Sequence, residues 1–188
     1  MGTKFSTRVW VSVVGIASIF FGSKGYADTV ISVADFGLKP DTRENAVAYV
    51  QKAIEACRGK EPVTLVFPEG RYDFWPQDAH EKNYYETNTY DVFPKRLAML
   101  FEGLHNITVD GNGSQFVMHD RIQPITVENC DGVTLKNFSI DWDIPLTAQA
   151  RVTKVGSDFF EIEINVLESP YIIEDGKLVF VGEGWKSA

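Results

Sequence analysis

The stretch that decides the fold is Met99-Leu100-Phe101-Glu102-Gly103-Leu104-His105-Asn106-Ile107-Thr108-Val109-Asp110-Gly111, together with Ile125-Thr126-Val127-Glu128-Asn129-Cys130-Asp131-Gly132-Val133-Thr134-Leu135-Lys136-Asn137. The two segments share one pattern at an offset of 26 residues. In each, a short apolar strand meets a Gly/Asn corner, and an alternating β-branched strand then meets a second corner. Such a repeat is typical of a stacked solenoid. The alternative is a pair of ordinary β-hairpins in a sandwich, which would not keep one register across both corners.

A solenoid of this kind is a parallel β-helix, in which each strand pairs with its equivalent one coil away, at about 4.8 Å. Gly and Asn suit the corners because they tolerate a left-handed backbone. The pattern predicts inward stacking of Ile107, Val109, Val133 and Leu135. Continued at the same offset, it places Gln115–Met118 on 141–144.

The first 27 residues differ in kind from the rest. Lys4 and Arg8 precede an apolar run from Val9 to Phe21, and Gly25-Tyr26-Ala27 provides small residues for cleavage. This pattern predicts a secretory signal peptide cleaved after Ala27, and hence an exported periplasmic or extracellular protein. A retained N-terminal anchor helix is the alternative, although the run is short for a bilayer.

Composition narrows the class of partner. The chain has 188 residues, 44% of them hydrophobic, and a formal net charge of −8. Removal of the signal peptide with its three basic residues makes the charge −11. An acidic surface argues against nucleic acid and anionic membranes, and favours a neutral glycan over a polyanion such as pectate. Cys57 and Cys130 are expected to be free, although export permits a disulfide.

The start of the mature chain predicts a cover for the solenoid's open end. A strand at 30–33 precedes a helix that we expect to begin at Asp41 or Thr42 and to end at Gly59. Strands at 63–67 and after the 68–72 turn complete this unit. Residues 76–96 then form a long aromatic-rich loop. Trp75, just before the loop, and Tyr85 within it either provide a platform for a sugar or pack the cover against the first coil.

After Asp143 the pattern changes to antiparallel hairpins. Residues 148–155 and 159–164 alternate on either side of a Gly156-Ser157-Asp158 turn, and two more strands flank Asp175-Gly176. We therefore divide the chain into residues 1–27, a signal peptide; 28–146, the cover and first coils; and 147–188, part of an inserted β domain. The apolar strand near 177–181 has no identifiable partner.

Two levels of resemblance follow from these residues. Residues 33–37, the helix that follows and 66–72 resemble the N-terminal module of the pectate-lyase-like superfamily. Residues 72–76, 94–97 and especially Asp141-Trp142-Asp143-Ile144-Pro145-Leu146-Thr147 resemble the Bacteroides-type enzymes of glycoside hydrolase family 110. These are secreted, inverting exo-α-1,3-galactosidases that remove terminal galactose from blood-group-B-type glycans. The resemblance implies an all-β fold: a right-handed parallel β-helix with an N-terminal helix cap and the start of an inserted antiparallel β-barrel.

The candidate site residues are predicted to bind substrate rather than to catalyse. Asp141 and Asp143 alternate onto one strand face, about 6–7 Å apart by strand rise, and either contact sugar hydroxyls or cap the corner into Pro145. With Trp142, Trp75 and Tyr85 they form the predicted substrate-binding set. An inverting glycosidase needs two carboxyl groups, and the resemblance implies that the catalytic aspartates lie on coils beyond this chain.

No metal or cofactor is predicted. His80, His105 and His119 lack metal-like spacing and are interpreted as surface or corner residues. Asp110-Gly111-Asn112-Gly113 is interpreted as a corner rather than a calcium turn.

Three functions remain open. The first is the N-terminal part of an exo-α-1,3-galactosidase, which we expect to be inactive as this chain because only two to three coils are present and no C-terminal cap follows. The second is a polysaccharide lyase or another β-helix enzyme. The third is a non-catalytic glycan-binding module. Assays on branched and linear α-1,3-galactosides would separate them.

Overall fold

The computed structural model describes residues 29–83 and 94–188. The predicted signal peptide and Tyr85 lie outside these residues. The described chain is predominantly β, and within it no helix has the length and apolar character needed to cross a membrane. Its elements are β1 (Thr29–Ser32), a 3₁₀ helix (Val33–Phe36), α1 (Val47–Cys57), β2 (Val63–Val66), β3 (Arg71–Phe74), β4 (His80–Lys82), β5 (Lys95–Glu102), β6 (His105–Met118), β7 (Ile122–Glu128), β8 (Asp131–Trp142), β9 (Arg151–Val155), β10 (Phe160–Glu163), β11 (Tyr171–Glu174), β12 (Lys177–Gly182) and β13 (Trp185–Ser187).

Parallel pairing dominates the first part of the described chain. One sheet has the order β1-β2-β6-β3, with β8 paired to β6, and all of these pairs are parallel. A second sheet pairs β5 with β7 in parallel, with Met99 opposite Ile125. Ile107 lies opposite Val133 and Val109 opposite Leu135. The predicted parallel pairing of residues 107–109 with 133–135 is therefore confirmed.

The corners have the predicted backbone. Gly103 and its counterpart Asn129 have φ of 64° and 51°, and Asn106 and its counterpart Gly132 have φ of 48° and 71°. Asn and Gly thus exchange places at equivalent corners, because both residue types accept the left-handed conformation there.

The constant offset is wrong beyond Asp110. Asp110 lies opposite Lys136, but Ser114 lies opposite Phe138, so the offset falls from 26 to 24 residues. The three residues Gly111-Asn112-Gly113 face the single residue Asn137, which leaves two extra residues in β6 as a bulge. As a result Val117 lies opposite Asp141 and Met118 opposite Trp142.

The core lies between α1 and the two parallel sheets. Val47, Val50, Ala53, Ile54 and Cys57 are buried on one face of α1, as their helical spacing predicts. Inside the stack, the Phe116 ring lies 4.7 Å from Phe67 and 4.8 Å from Phe138, centroid to centroid. Ile107 and Val109 are buried, Val133 is half-buried, and Leu135, predicted inward, is 39% exposed on the outermost layer described.

The helix does not begin where its sequence indicated. It starts at Val47 rather than after Asp41 or Thr42. Asp41 and Arg43 have positive φ, which keeps this segment out of a helix. The Asn45 side chain instead accepts hydrogen bonds from the Val47 and Trp75 amides. It therefore joins the helix start to the end of β3.

Both cysteines are free thiols, as expected. Cys57 is buried in the core, and burial raises the pKa of its thiol to about 11. Cys130 lies at a corner, where its Sγ accepts a hydrogen bond from the Leu104 amide.

The expected loop at 76–96 is partly strand. Its residues His80–Lys82 form β4, which pairs antiparallel with the first residues of β5. Lys82 Nζ lies 2.7 Å from Glu102 Oε1 and 2.8 Å from Glu128 Oε2. Because Glu102 and Glu128 are register partners on β5 and β7, Lys82 bridges two carboxylates on neighbouring strands.

Residues 151–187 form antiparallel hairpins, as predicted. β9 pairs with β10, and β12 pairs with β11 around Asp175-Gly176. The prediction that the apolar strand at 177–181 lacks a partner is wrong, because β12 also pairs with β13. The short sequence Trp185–Ser187 gave no alternation long enough to reveal this strand.

Candidate functional site

Polar side chains from β3 converge with side chains at the carboxyl ends of β6 and β8. Arg71 and Asp73 come from β3, His119 follows β6, and Asp143 follows β8. Glu183 reaches the same place from the turn between β12 and β13. We call these five residues the Asp73 cluster.

The alternation of β3 explains why two charges of the cluster share a face. Tyr72 and Phe74 point into the core and are buried, so Arg71 and Asp73 point away from it. Asp73, Val117 and Asp141 then form one outward column across β3, β6 and β8. Asp143 continues beyond β8, where its amide donates to the carbonyl of Met118 at 3.1 Å.

Arg71 joins the two aspartates. Its Nε lies 3.0 Å from both oxygens of Asp73, and its Nη2 lies 2.6 Å from Asp73 Oδ1 and 2.7 Å from Asp143 Oδ1. Arg43 Nη1 approaches Asp143 Oδ1 at 3.6 Å. Hydrogen bonding to Asp73 raises the pKa of the Arg71 guanidinium, which therefore stays charged.

Asp73 is a fully buried carboxylate, with 0% of its side chain exposed. Burial acts to raise its pKa, but hydrogen bonds from Arg71 and His119 outweigh burial and hold the pKa below its ordinary value. Asp73 therefore carries its charge inside the protein.

His119 is buried, in contrast to the surface or corner position that was predicted. Its Nε2 lies 2.9 Å from Asp73 Oδ1, and its Nδ1 lies 2.9 Å from Glu183 Oε1. Its ring stacks on the Trp75 indole at 3.8 Å with an interplanar angle of 10°. His80 and His105 are exposed, as predicted.

The cluster has donor atoms that a metal ion could use, but an arginine occupies their centre. Atoms of Asp73, His119 and Asp143 lie within 4.8 Å of one another. However, Arg71 Nη2 sits between the two carboxylates, within hydrogen-bond distance of both. A cation there would have to displace a guanidinium that already neutralises these oxygens, so the residues do not fit a metal ion.

A cleft opens next to the cluster. Its volume is about 330 Å³, near the lower end of the range for small-ligand sites. The described residues that line it include three acids and no Lys or Arg; they are Asp141, Trp142, Asp143, Pro145, Thr147, Gln149, Leu167, Glu168 and Ser169. Such a lining suits a neutral ligand that donates hydrogen bonds.

The predicted site residues are distributed as follows. Asp141, Trp142 and Asp143 line the cleft together. Trp142 also packs against the core, and its Nε1 donates to the Asp120 carbonyl at 3.2 Å, so only part of its ring is accessible. Trp75 lies at the Asp73 cluster against His119 and is not among the cleft residues. Tyr85 lies outside the described residues.

Sequence reasoning missed Arg71, Asp73, His119 and Glu183. The first two carried a usable signal, since charges alternate with buried aromatics on β3. His119 and Glu183 carried none, because they are 64 residues apart and meet only through tertiary structure.

Comparisons with known proteins give one family-model match and several relatives. A family model described as "GLAA-B beta-barrel domain I" matches residues 148–188. The chain is 62% identical over 162 residues to "Alpha-1,3-galactosidase B" of Bacteroides thetaiotaomicron, covering 86% of this chain and 26% of that relative. It is 37% identical over 158 residues to "Alpha-1,3-galactosidase A" of Shewanella woodyi, covering 84% of this chain and 26% of that relative.

A third relative, "Alpha-1,3-galactosidase A" of Bacteroides fragilis, is 35% identical over 165 residues, covering 85% of this chain and 27% of the relative. The chain thus spans about a quarter of the length of the curated relatives it matches. Over that quarter, the chain is similar to these α-1,3-galactosidases, and the predicted resemblance to glycoside hydrolase family 110 is confirmed.

Proposed function

We propose that this chain is part of a glycoside hydrolase that releases terminal α-1,3-linked galactose from blood-group-B-type glycans. The observation that carries the proposal is the 62% identity over 162 residues to a protein named as an α-1,3-galactosidase. The acidic cleft, which lacks Lys and Arg among its described lining residues, is suited to a neutral sugar. The proposal assigns substrate binding, rather than catalysis, to the described residues.

The same proposal includes the fold that carries the site. The parallel pairs β2–β6–β8 and β5–β7, with left-handed corners between them, are the arrangement expected of the first coils of a right-handed parallel β-helix over residues 28–146. The hairpins of residues 147–188 are then part of an inserted β-barrel, a division supported by the match of residues 148–188 to a barrel domain model.

Within that fold, we assign sugar binding to Asp141, Asp143 and Trp142. Asp143 Oδ1 is held by Arg71, and Asp141 Oδ1 accepts from the Trp142 amide. Their second carboxylate oxygens have no hydrogen-bond partner among the described residues, so both can accept from sugar hydroxyls. The indole of Trp142 offers an apolar surface in the same cleft. Trp75 and Tyr85 stay in the proposal as flanking aromatic contacts.

Export is part of the proposal as well. The basic start and apolar run of residues 1–27 support a signal peptide cleaved after Ala27. Fractionation of cells that produce the chain, with N-terminal sequencing, tests this directly. A chain that retains Met1 in the cytoplasm would contradict it.

A chimera tests the activity. This chain replaces the segment that it matches in the B. thetaiotaomicron relative, and galactose release from a branched α-1,3-galactoside is measured. We expect turnover, and we expect Asp141→Asn or Asp143→Asn to reduce kcat/KM about tenfold or more, because each removes a charged acceptor from sugar hydroxyls.

The matched control is Asp158→Asn, which changes an exposed acid in the β9–β10 turn. It should leave kcat/KM and the melting temperature unchanged. A folded chimera without turnover on any α-galactoside would overturn the proposed activity. Full activity in both aspartate variants would overturn the assignment of the sugar-binding residues.

A further inference from the structure

The carboxylate of Asp143 is held from one side only. Its Oδ1 receives the Arg71 guanidinium at 2.7 Å and faces Arg43 at 3.6 Å. Its Oδ2 has no hydrogen-bond partner among the described residues. The side chain is 37% exposed and lines the cleft. One oxygen therefore anchors the group while the other stays available for a ligand.

Arg71 is itself fixed in orientation. Its Nε and Nη2 both bond Asp73, which is fully buried, and the Arg71 side chain is only 22% exposed. A two-point contact between a planar guanidinium and a carboxylate sets the plane of the guanidinium as well as its position. A lysine at this site would keep the charge and lose that direction.

The contacts that hold Asp73 in place extend to a residue that is distant in the sequence. His119 contacts Asp73 through Nε2 and Glu183 through Nδ1, and the Trp75 ring covers its face. Glu183 also accepts from the Asp120 amide at 3.2 Å. Glu183 belongs to the β12–β13 turn, so an unbroken series of polar contacts runs from that turn to the cleft.

We propose that Arg71 is a positioning residue, which fixes the orientation of the sugar-binding carboxylate of Asp143. Glu183, through His119 and Asp73, links the position of the β12–β13 turn to the orientation of that carboxylate. The inference rests on the proposed function, since it gives that sugar site its supporting residues. An α-galactoside bound in the cleft would meet a carboxylate whose direction is set before binding, which lowers the cost of ordering it.

The test measures binding of methyl α-galactoside to the full chain by NMR titration, beside the melting temperature. We expect Asp143→Asn and Arg71→Lys each to weaken binding about tenfold, because the first removes the acceptor and the second its fixed direction. Glu183→Gln, which keeps an acceptor for His119 but not the charge, should weaken binding about threefold. Arg96→Lys is the matched control, since Arg96 pairs with exposed Glu81 away from the cleft.

A purely structural role would lower the melting temperature without changing affinity in the folded protein. We expect the reverse, with melting temperatures within about 3 °C of the unsubstituted chain. Unchanged affinity in Arg71→Lys, beside lost affinity in Asp143→Asn, would overturn the positioning role and leave the sugar site standing. If the unsubstituted chain binds no α-galactoside, both the positioning role of Arg71 and the sugar site are overturned. If Arg71→Lys fails to fold, Glu183→Gln decides: unchanged affinity there overturns the coupling.

Discussion

Among single residues, Asp73 shows most directly how charge is kept inside this protein. Its carboxylate is inaccessible to water and is compensated by Arg71 and His119 rather than by solvent. A buried charge of this kind is tolerated only when its partners are in place, and removal of one member exposes the full cost of burying the others.

Asp73→Asn should therefore destabilise the chain by about 3 kcal/mol at pH 7. Because neighbours hold the folded-state pKa of Asp73 below its ordinary value of 3.8, its stabilising contribution is complete above that value. The contribution is lost as the pH falls through the lower, folded-state pKa. Urea unfolding across the acid range should show the difference between the two proteins narrowing below pH 4 or so.

Asp158→Asn is the control for a general effect of losing one acid, and it should follow the unsubstituted chain at each pH. A constant gap between Asp73→Asn and the unsubstituted chain down to strongly acidic pH would contradict the assigned origin of the stability.

At this scale, adjacency in the chain was enough to place Asp141, Trp142 and Asp143 together at one end of a sheet, and their role in binding sugar stays a prediction. Arg71 and Asp73 carried a local signal, because charges alternate with buried aromatics on β3. His119 and Glu183 carried none, because they are 64 positions apart and meet only in the folded chain. Local periodicity contains no information on such a contact.

At the scale of elements, the corners govern which strands can stack. Asn and Gly occupy equivalent left-handed positions in the two copies of the repeat, but their surroundings differ. A side chain added at Gly103 would meet nothing nearer than Arg58 Nη1 at 4.0 Å. One added at Gly132 would meet Asn106 Oδ1 at 2.6 Å and the Asn106 amide nitrogen at 3.3 Å.

Two identical substitutions should therefore give different results. Gly103→Asn is expected to change the free energy of unfolding by less than about 0.5 kcal/mol, since Asn tolerates the left-handed backbone and the space is open. Gly132→Asn should cost about 1–2 kcal/mol, because the Asn106 side chain and backbone must move. Chemical denaturation of both variants makes the comparison.

Each variant serves as the other's control, since residue type and backbone conformation are the same. Equal losses at both corners would show that backbone conformation alone, rather than the crowding at Asn106, sets the tolerance.

The elements predicted correctly are those that local chemistry specifies: the parallel pairs, the buried face of α1 and the hairpins after Arg151. The start of α1 was missed because positive φ at Asp41 and Arg43 depends on contacts with β3, such as the Arg71 amide to Asp41 Oδ1. The offset change was missed because two extra residues in a Gly-Asn-Gly bulge leave the polar and apolar alternation on both sides intact.

At the scale of the molecule, the described residues include two groups of exposed apolar side chains. Three apolar side chains on β7 and β8 are 37–47% exposed: Val127, Leu135 and Ile140. They lie in register with core residues of the neighbouring strands. Phe160 and Leu167 are 66% and 85% exposed among the hairpins. Clusters of this kind mark surfaces that bind other apolar groups.

The chain should therefore bind an apolar fluorescent dye. Leu135→Thr combined with Ile140→Thr should reduce the dye signal with little loss of melting temperature, because both side chains are already more than a third exposed. Val30→Thr, at the opposite edge of the sheet and 64% exposed, is the matched control and should leave the signal unchanged. A chain that binds no dye would contradict the description of these surfaces.

The short sequence separation of the parallel pairs affects how the fold is assembled. Paired strands are separated by 34 residues for β1 and β2, 44 for β2 and β6, and 26 for β5 and β7. Loop-closure entropy grows so slowly with length that the longest of these costs only about 0.5 kcal/mol more to close than the shortest. Each parallel strand therefore pairs with a coil that precedes or follows it closely in the sequence, so the stack can grow one coil at a time from any point.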